Sequence, residues 1–188
     1  MEKVLISVCL CSSFLFCEGE KAFNVTSLHE LKSANTVRQS FEESCGAAAL
    51  ATIMGLFGTK KSEAEIMDKF ATTNMVSFTQ LADTAKEFGY EVEGYKVSRE
   101  NFEKLTIPVI AKVERERSFP HFVVVLNHSG DFTTVLDPNY GRYIITKDEF
   151  CNIWADEGQG YILIVVPNLA FAKPDINLEL PNKNLFLR

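Results

Sequence analysis

The chain lacks an excess of basic residues. It has 19 Lys+Arg against 25 Asp+Glu, a formal net charge of −6. Its short cationic clusters, Lys60-Lys61 and Arg115 with Arg117, are flanked by acids and read as solvated surface, so no footprint for nucleic acid is present. Beyond the N-terminus it also lacks a long apolar run: residues 123–126 and 162–166 are strand-sized and too short to span a membrane. Internal repeats and low-complexity tracts are absent. Histidine is scarce, at three residues, so any chemistry that needs an imidazole has few choices. What remains is a 188-residue chain, 46% hydrophobic and 23% charged, with the balance of one globular domain and a real core.

The first residues differ from the rest. A short charged opening precedes an apolar or small run over residues 4–17, followed by "EGEK". This reads as a signal peptide over residues 1–19, with Cys17 and Gly19 at the small-residue positions of the cleavage site. A buried first strand or helix is the alternative. A lipid anchor on Cys17 fits less well, because bulky Phe16 stands where a small residue is expected. Removal of the leader takes Cys9, Cys11 and Cys17 with it and leaves Cys45 and Cys151, which is no disulfide framework. The expected location is periplasmic or secreted, with no stable membrane insertion after processing. The expected domain covers residues 20–167. Residues 168–188, punctuated by Pro174 and Pro181, form a C-terminal extension.

The pattern of the mature chain is helices first and strands second. Helices are expected over residues 27–32, 45–57 (capped by Ser44, ended by Gly58), 62–70 (Ser62 and Glu65 as a capping box) and 77–89. Strands follow in "YEVEGYKV", "IPVIAKVE", "HFVVVLNH", "FTTVLD", "RYIIT" and "GYILIVVP", with short helices at residues 99–104 and 147–154. Helices followed by an antiparallel sheet make an α+β fold.

Chemistry enters at "RQSFEESCGAAALATIMG". A thiolate is the reactive form of cysteine, and a helix N-terminus favours it. Cys45 is expected there. Gly46 would let a substrate backbone come close, and Ala47, Ala48 and Ala49 suit a tightly packed central helix. A small buried core residue is the other reading of Cys45. A reactive thiol needs a base. His29 lies in a surface-like segment, and His128 adjoins Ser129-Gly130-Asp131, a turn sequence. His121 heads a buried apolar strand behind Pro120, where an imidazole requires a partner. Residues 121–137 read as a hairpin, with His121 starting one arm and Asp137 ending the other, so the two come close across the ladder. Asp137 in "DPNYG" is also a good turn former. Gln39, six residues before Cys45, could return its amide to the helix start. There it would join the Cys45 backbone N–H as an oxyanion donor. A solvent-exposed loop amide is the alternative.

"QSFEESCGAAALATI", "PHFVVVL" and "VLDP", in that order and spacing, resemble the bacteriocin-processing peptidases, a papain-like family that cuts leader peptides after a double glycine. The resemblance spans roughly residues 36–166 and places the family pattern on Gln39, Cys45-Gly46, Ala48, Leu50, His121 and Asp137-Pro138. It implies a papain-like fold and thiol hydrolysis without metal or organic cofactor. Cys45 would be the nucleophile, His121 the base and acid, Asp137 the orienting group and Gln39 the oxyanion donor. The implied partners are a peptide or protein substrate and components of a secretion system. Two features depart from the common pattern. Ser44 stands where many members carry an acid, and no GxxxxGK[ST] loop or membrane bundle accompanies the domain. The chain is therefore similar to free-standing exported members, some of which serve secretion systems for fibre-forming or amyloid proteins. A non-catalytic, peptide-binding relative and an acyl-transferring one are the other readings. Cys151, in the amphipathic "KDEFCNIW", is expected to be structural.

Overall fold

The computed structural model describes residues 26–70, 75–114, 121–128 and 130–168. The expected signal peptide, Pro120, Ser129 and all but the first residue of the C-terminal extension lie outside the described residues. Among the described residues no helix is long and apolar enough to cross a membrane.

The order of elements is α1 (Leu28–Ser33), a 3-10 turn (Glu42–Ser44), α2 (Cys45–Leu56), α3 (Glu63–Met67), α4 (Phe78–Glu87), β1 (Tyr90–Ser98), α5 (Arg99–Glu103), β2 (Val109–Val113), β3 (His121–Asn127), β4 (Phe132–Asp137), β5 (Gly141–Thr146), α6 (Lys147–Trp154) and β6 (Gln159–Pro167). Local sequence accounts for most starts. Ser27 with Glu30, Ser62 with Glu65, Ser77 with Gln80 and Thr146 with Glu149 form reciprocal capping boxes. The helix expected over residues 62–70 is shorter, ending at Met67.

The six strands form one antiparallel sheet in the order β1-β6-β2-β3-β4-β5. The last strand in sequence is inserted between the first and second. Both faces are covered over β2, β3 and β4, which is why these strands read as near-continuous apolar runs, whereas β1 alternates and is largely exposed. Ile110, Phe122, Val124, Leu136, Leu163 and Val165 face a core built on α2 and α4. Val109, Ala111, Val123, Val125, Val135 and Ile162 face a second core with Phe102 of α5 and Phe150 and Trp154 of α6. Every residue of α2 except Gly55 is buried, as expected of a helix apolar all round. This α+β arrangement sets the start of α2 against the first residues of β3.

The second core has little slack. The Trp154 ring lies 4.6 Å from Phe102 and 6.0 Å from Phe150 between centroids, and its Nε1 donates to the Tyr161 carbonyl at 3.0 Å. A methyl group at Gly160 would overlap that ring. Gly160→Ala is expected to lower stability by about 1–3 kcal/mol, as overpacking does. Denaturant unfolding checks this, and an unchanged midpoint would show that the ring can move aside.

Candidate active site

Cys45 is the first residue of α2 and is 2% exposed. Ser44 does not cap this helix. It belongs to the preceding 3-10 turn, with φ −90° and ψ 3°, and makes no side-chain cap hydrogen bond. Its Oγ instead donates to the Phe41 carbonyl at 2.7 Å and accepts from the Phe41 N–H at 3.3 Å. The chain enters α2 already curled, so a cap in extended conformation has no place there. The amides of the first helical turn therefore face the site without a serine oxygen over them.

Gly46 also differs from expectation. A Cβ there would lie 2.5 Å from Val76 Cγ2 and 3.3 Å from both Leu81 and Phe122. The glycine lets α2 seat on α4 and β3. It offers no open surface to a substrate.

His121 and Asp137 meet as the hairpin reading required. His121 Nε2 lies 2.8 Å from Asp137 Oδ1. The β3–β4 ladder ends at Val124↔Leu136, so Asp137 follows the last β4 residue paired to β3 and reaches the His121 ring at the head of β3. Asp137 is fully buried. Its Oδ1 also accepts from the backbone N–H groups of Asn139 at 2.8 Å and Tyr140 at 3.1 Å, an Asx turn that makes Asp137 both turn former and histidine partner. Those amides are site groups that residue-type reasoning missed, although "DPNYG" carries their signal. The turn closes at Gly141, whose φ of +82° and backbone packing against Lys32 exclude a side chain.

The electrostatics of the pair follow from this geometry. Burial works against a charged ring at His121. Hydrogen bonds to Asp137 and to the Cys45 sulfur, with the charges behind them, outweigh it and raise the pKa from 6.5 to about 9. Burial likewise opposes the Asp137 carboxylate. The bond to His121 and the two backbone donors nonetheless hold its pKa below the usual range. Nε2 is taken by Asp137, so Nδ1 is the ring nitrogen left for the sulfur.

Gln39 lies at the edge of this constellation. Its backbone N–H donates to the Pro138 carbonyl at 3.0 Å, tying it to the turn that carries Asp137. Its Nε2 donates to the Phe41 carbonyl at 3.1 Å, the same oxygen that Ser44 reaches, and its second amide hydrogen is not used in that bond. Its Oε1 is buried without a hydrogen-bond partner.

The remaining candidates stand apart. His29 is exposed on α1. The His128 Nε2 is 2.5 Å from Thr134 Oγ1, and burial, with Arg142 and Lys147 nearby, lowers its pKa. Cys151 is buried in the second core. Burial first, and the Glu103 and Asp148 carboxylates against Arg99, push its thiol up to about 11. Cys45 packs in the first core, across the sheet from Cys151, and both thiols are free.

Comparison with known proteins places this arrangement in context. The model of the Peptidase C39 family matches residues 33–170. The chain is 33% identical over 153 residues to the probable functional amyloid protease FapD of Pseudomonas aeruginosa, covering 73% of this chain and 66% of that protein. It is 32% identical over 143 residues to the mesentericin-Y105 transport/processing ATP-binding protein MesD of Leuconostoc mesenteroides, covering 73% of this chain and 19% of that protein. The chain thus spans about two thirds of the amyloid protease and about a fifth of the transporter. Among solved structures, a double glycine motif protease from an AMS/PCAT transporter, in complex with its leader peptide, superposes with a TM-score of 0.60 at 25% identity, covering 70% of this chain and 90% of that one. With the papain-like α+β fold and a family match over most of its length, the chain belongs to the Peptidase C39 family of cysteine peptidases.

Proposed function

We propose that this chain is an exported endopeptidase in which Cys45, His121 and Asp137 are the catalytic triad and Gln39 with the Cys45 amide binds the oxyanion. One observation carries the reading: a single half-buried imidazole is hydrogen-bonded on one side to a buried carboxylate and on the other to a sulfur at a helix start. A core cysteine needs neither partner.

The chemistry follows from the protonation states. His121, with its raised pKa, holds a proton at neutral pH, and its charge favours the Cys45 thiolate. The sulfur attacks the scissile carbonyl carbon, forming a C–S bond and moving the carbonyl electrons onto oxygen. Gln39 Nε2 and the Cys45 N–H donate to that oxygen. Collapse breaks the C–N bond while His121 gives its proton to the departing amine. Water then attacks the thioester and passes a proton back to His121, and the acid leaves with the sulfur again anionic. Asp137 remains ionised throughout and holds the ring in one tautomer and orientation.

The proposed substrate is a secreted peptide or protein, either one with a Gly-Gly leader or a fibre-forming protein of an amyloid secretion system. The relatives support this class: one is a probable functional amyloid protease and another a transport/processing protein. The apolar run at residues 4–17 supports export.

Cys45→Ala is expected to abolish cleavage while leaving folding intact, and Cys151→Ala to leave cleavage unchanged. A thiol-reactive peptide probe should label Cys45 alone. Residual turnover in Cys45→Ala, or labelling at Cys151, would overturn the assignment. The pH profile gives a second test. Because the folded-state pKa of His121 is raised from 6.5 to about 9, its proton is retained below that value and lost as pH rises through it. The kcat/KM is therefore expected to fall on an alkaline limb near 9. Asp137→Asn removes the charge that raises the pKa, so the limb should move to lower pH and the maximum rate should drop. A limb unmoved by that substitution would separate Asp137 from the histidine.

A further inference from the structure

Four successive residues ahead of α2 are tied to three parts of the fold: α2, the turn after β4 and α3. The Val37 N–H donates to Thr52 Oγ1 of α2 at 2.9 Å. The Arg38 guanidinium donates to the Asn139 carbonyl, and the Gln39 N–H to the Pro138 carbonyl. The Ser40 N–H and Oγ donate to the two oxygens of Glu63 on α3, at 2.8 and 2.6 Å. The last tie differs from the others. It is bidentate, so it fixes orientation as well as distance. It also comes immediately before Phe41, whose carbonyl accepts the Gln39 amide.

Gln39 does little to hold its own side chain. Its Nε2 makes one hydrogen bond, to the Phe41 carbonyl, and its Oε1 is buried and unpaired, a cost that favours departure from this position. The amide must therefore be held by the backbone around it. Glu63 is free to do that, because α3 is capped without it: Ser62 and Glu65 complete the capping box.

We propose that Glu63 is a positioning residue for the reaction. Through Ser40 it fixes the Phe41 carbonyl and thereby aims the Gln39 amide at the oxyanion. Glu63 touches no reacting atom. The proposal rests on the oxyanion role given to Gln39 above.

The test uses the full chain and the p-nitrophenyl ester of N-acetyl-Gly-Gly as acylating probe, with iodoacetamide alkylation of Cys45 in parallel. Gln39→Ala is expected to slow acylation about a hundredfold, the scale for one lost oxyanion donor. Glu63→Ala is expected to slow it about tenfold, a smaller loss because the donor is misplaced rather than removed. Glu63→Gln, which keeps one acceptor, should fall between that variant and the parent. The double variant Glu63→Ala/Gln39→Ala should be no slower than Gln39→Ala alone, since the two act through one group. Alkylation, which forms no oxyanion, should proceed at the parent rate in all of them. The proposal fails if Glu63→Ala acylates normally, if it slows the reaction equally in the Gln39→Ala background, or if alkylation slows in step with acylation. It fails too if Gln39→Ala is silent, because nothing is then being positioned. Failure of the triad itself has a separate mark, acylation by Cys45→Ala at the parent rate.

Discussion

The 2.8 Å hydrogen bond between His121 Nε2 and the buried Oδ1 of Asp137 is the interaction on which the site depends. A carboxylate taken fully out of water costs several kcal/mol unless its oxygens are paired. Here three N–H groups converge on Oδ1, the imidazole and the amides of Asn139 and Tyr140, while Oδ2 is buried without a partner. The turn therefore stabilises the charge, and the charge stabilises the protonated ring. That carboxylate and the Cys45 sulfur together outweigh the burial that opposes a charged imidazole.

The two-sided sheet places the two buried cysteines of the described residues in different cores. Cys45 sits at the end of a helix, with an imidazole in reach and no serine oxygen capping the first turn. Cys151 lies inside α6 beneath Phe150 and Trp154, where burial and two nearby carboxylates oppose ionisation. Residue type is the same and depth is nearly the same. The difference lies in which charges and dipoles each sulfur faces. The small residues of α2 belong to the same design. Gly46 and the alanines bring the helix close enough to β3 for Cys45 to meet His121, with Val76, Leu81 and Phe122 in contact at the glycine.

Membership of the Peptidase C39 family accounts for the fold and the order of the motifs. It does not by itself select a substrate. The relatives include an amyloid-associated protease and a processing transporter, and the chain matches only a part of each. What they share with this chain is the cysteine peptidase family. In this chain the segment ahead of Cys45 is held by the Phe41 carbonyl, Pro138 and Glu63.

Much was legible from residues alone. Ser62 with Glu65 announced a helix start, since a capping box closes within four residues. The strand runs and the hairpin between His121 and Asp137 followed from apolar patterning and turn chemistry, and so did the meeting of the two side chains. Three things were decided only by the tertiary structure. The insertion of β6 between β1 and β2 is a pairing between distant segments that no local pattern encodes. The refusal of Ser44 to cap α2, and the packing role of Gly46, depend on what the helix meets when it docks. The placement of Gln39 rests on bonds to Pro138 and, through Ser40, to Glu63. Caps and periodicity act over a few bonds and so are written in order along the chain. Hydrogen bonds between remote segments are directional and become available only after the core has fixed both ends.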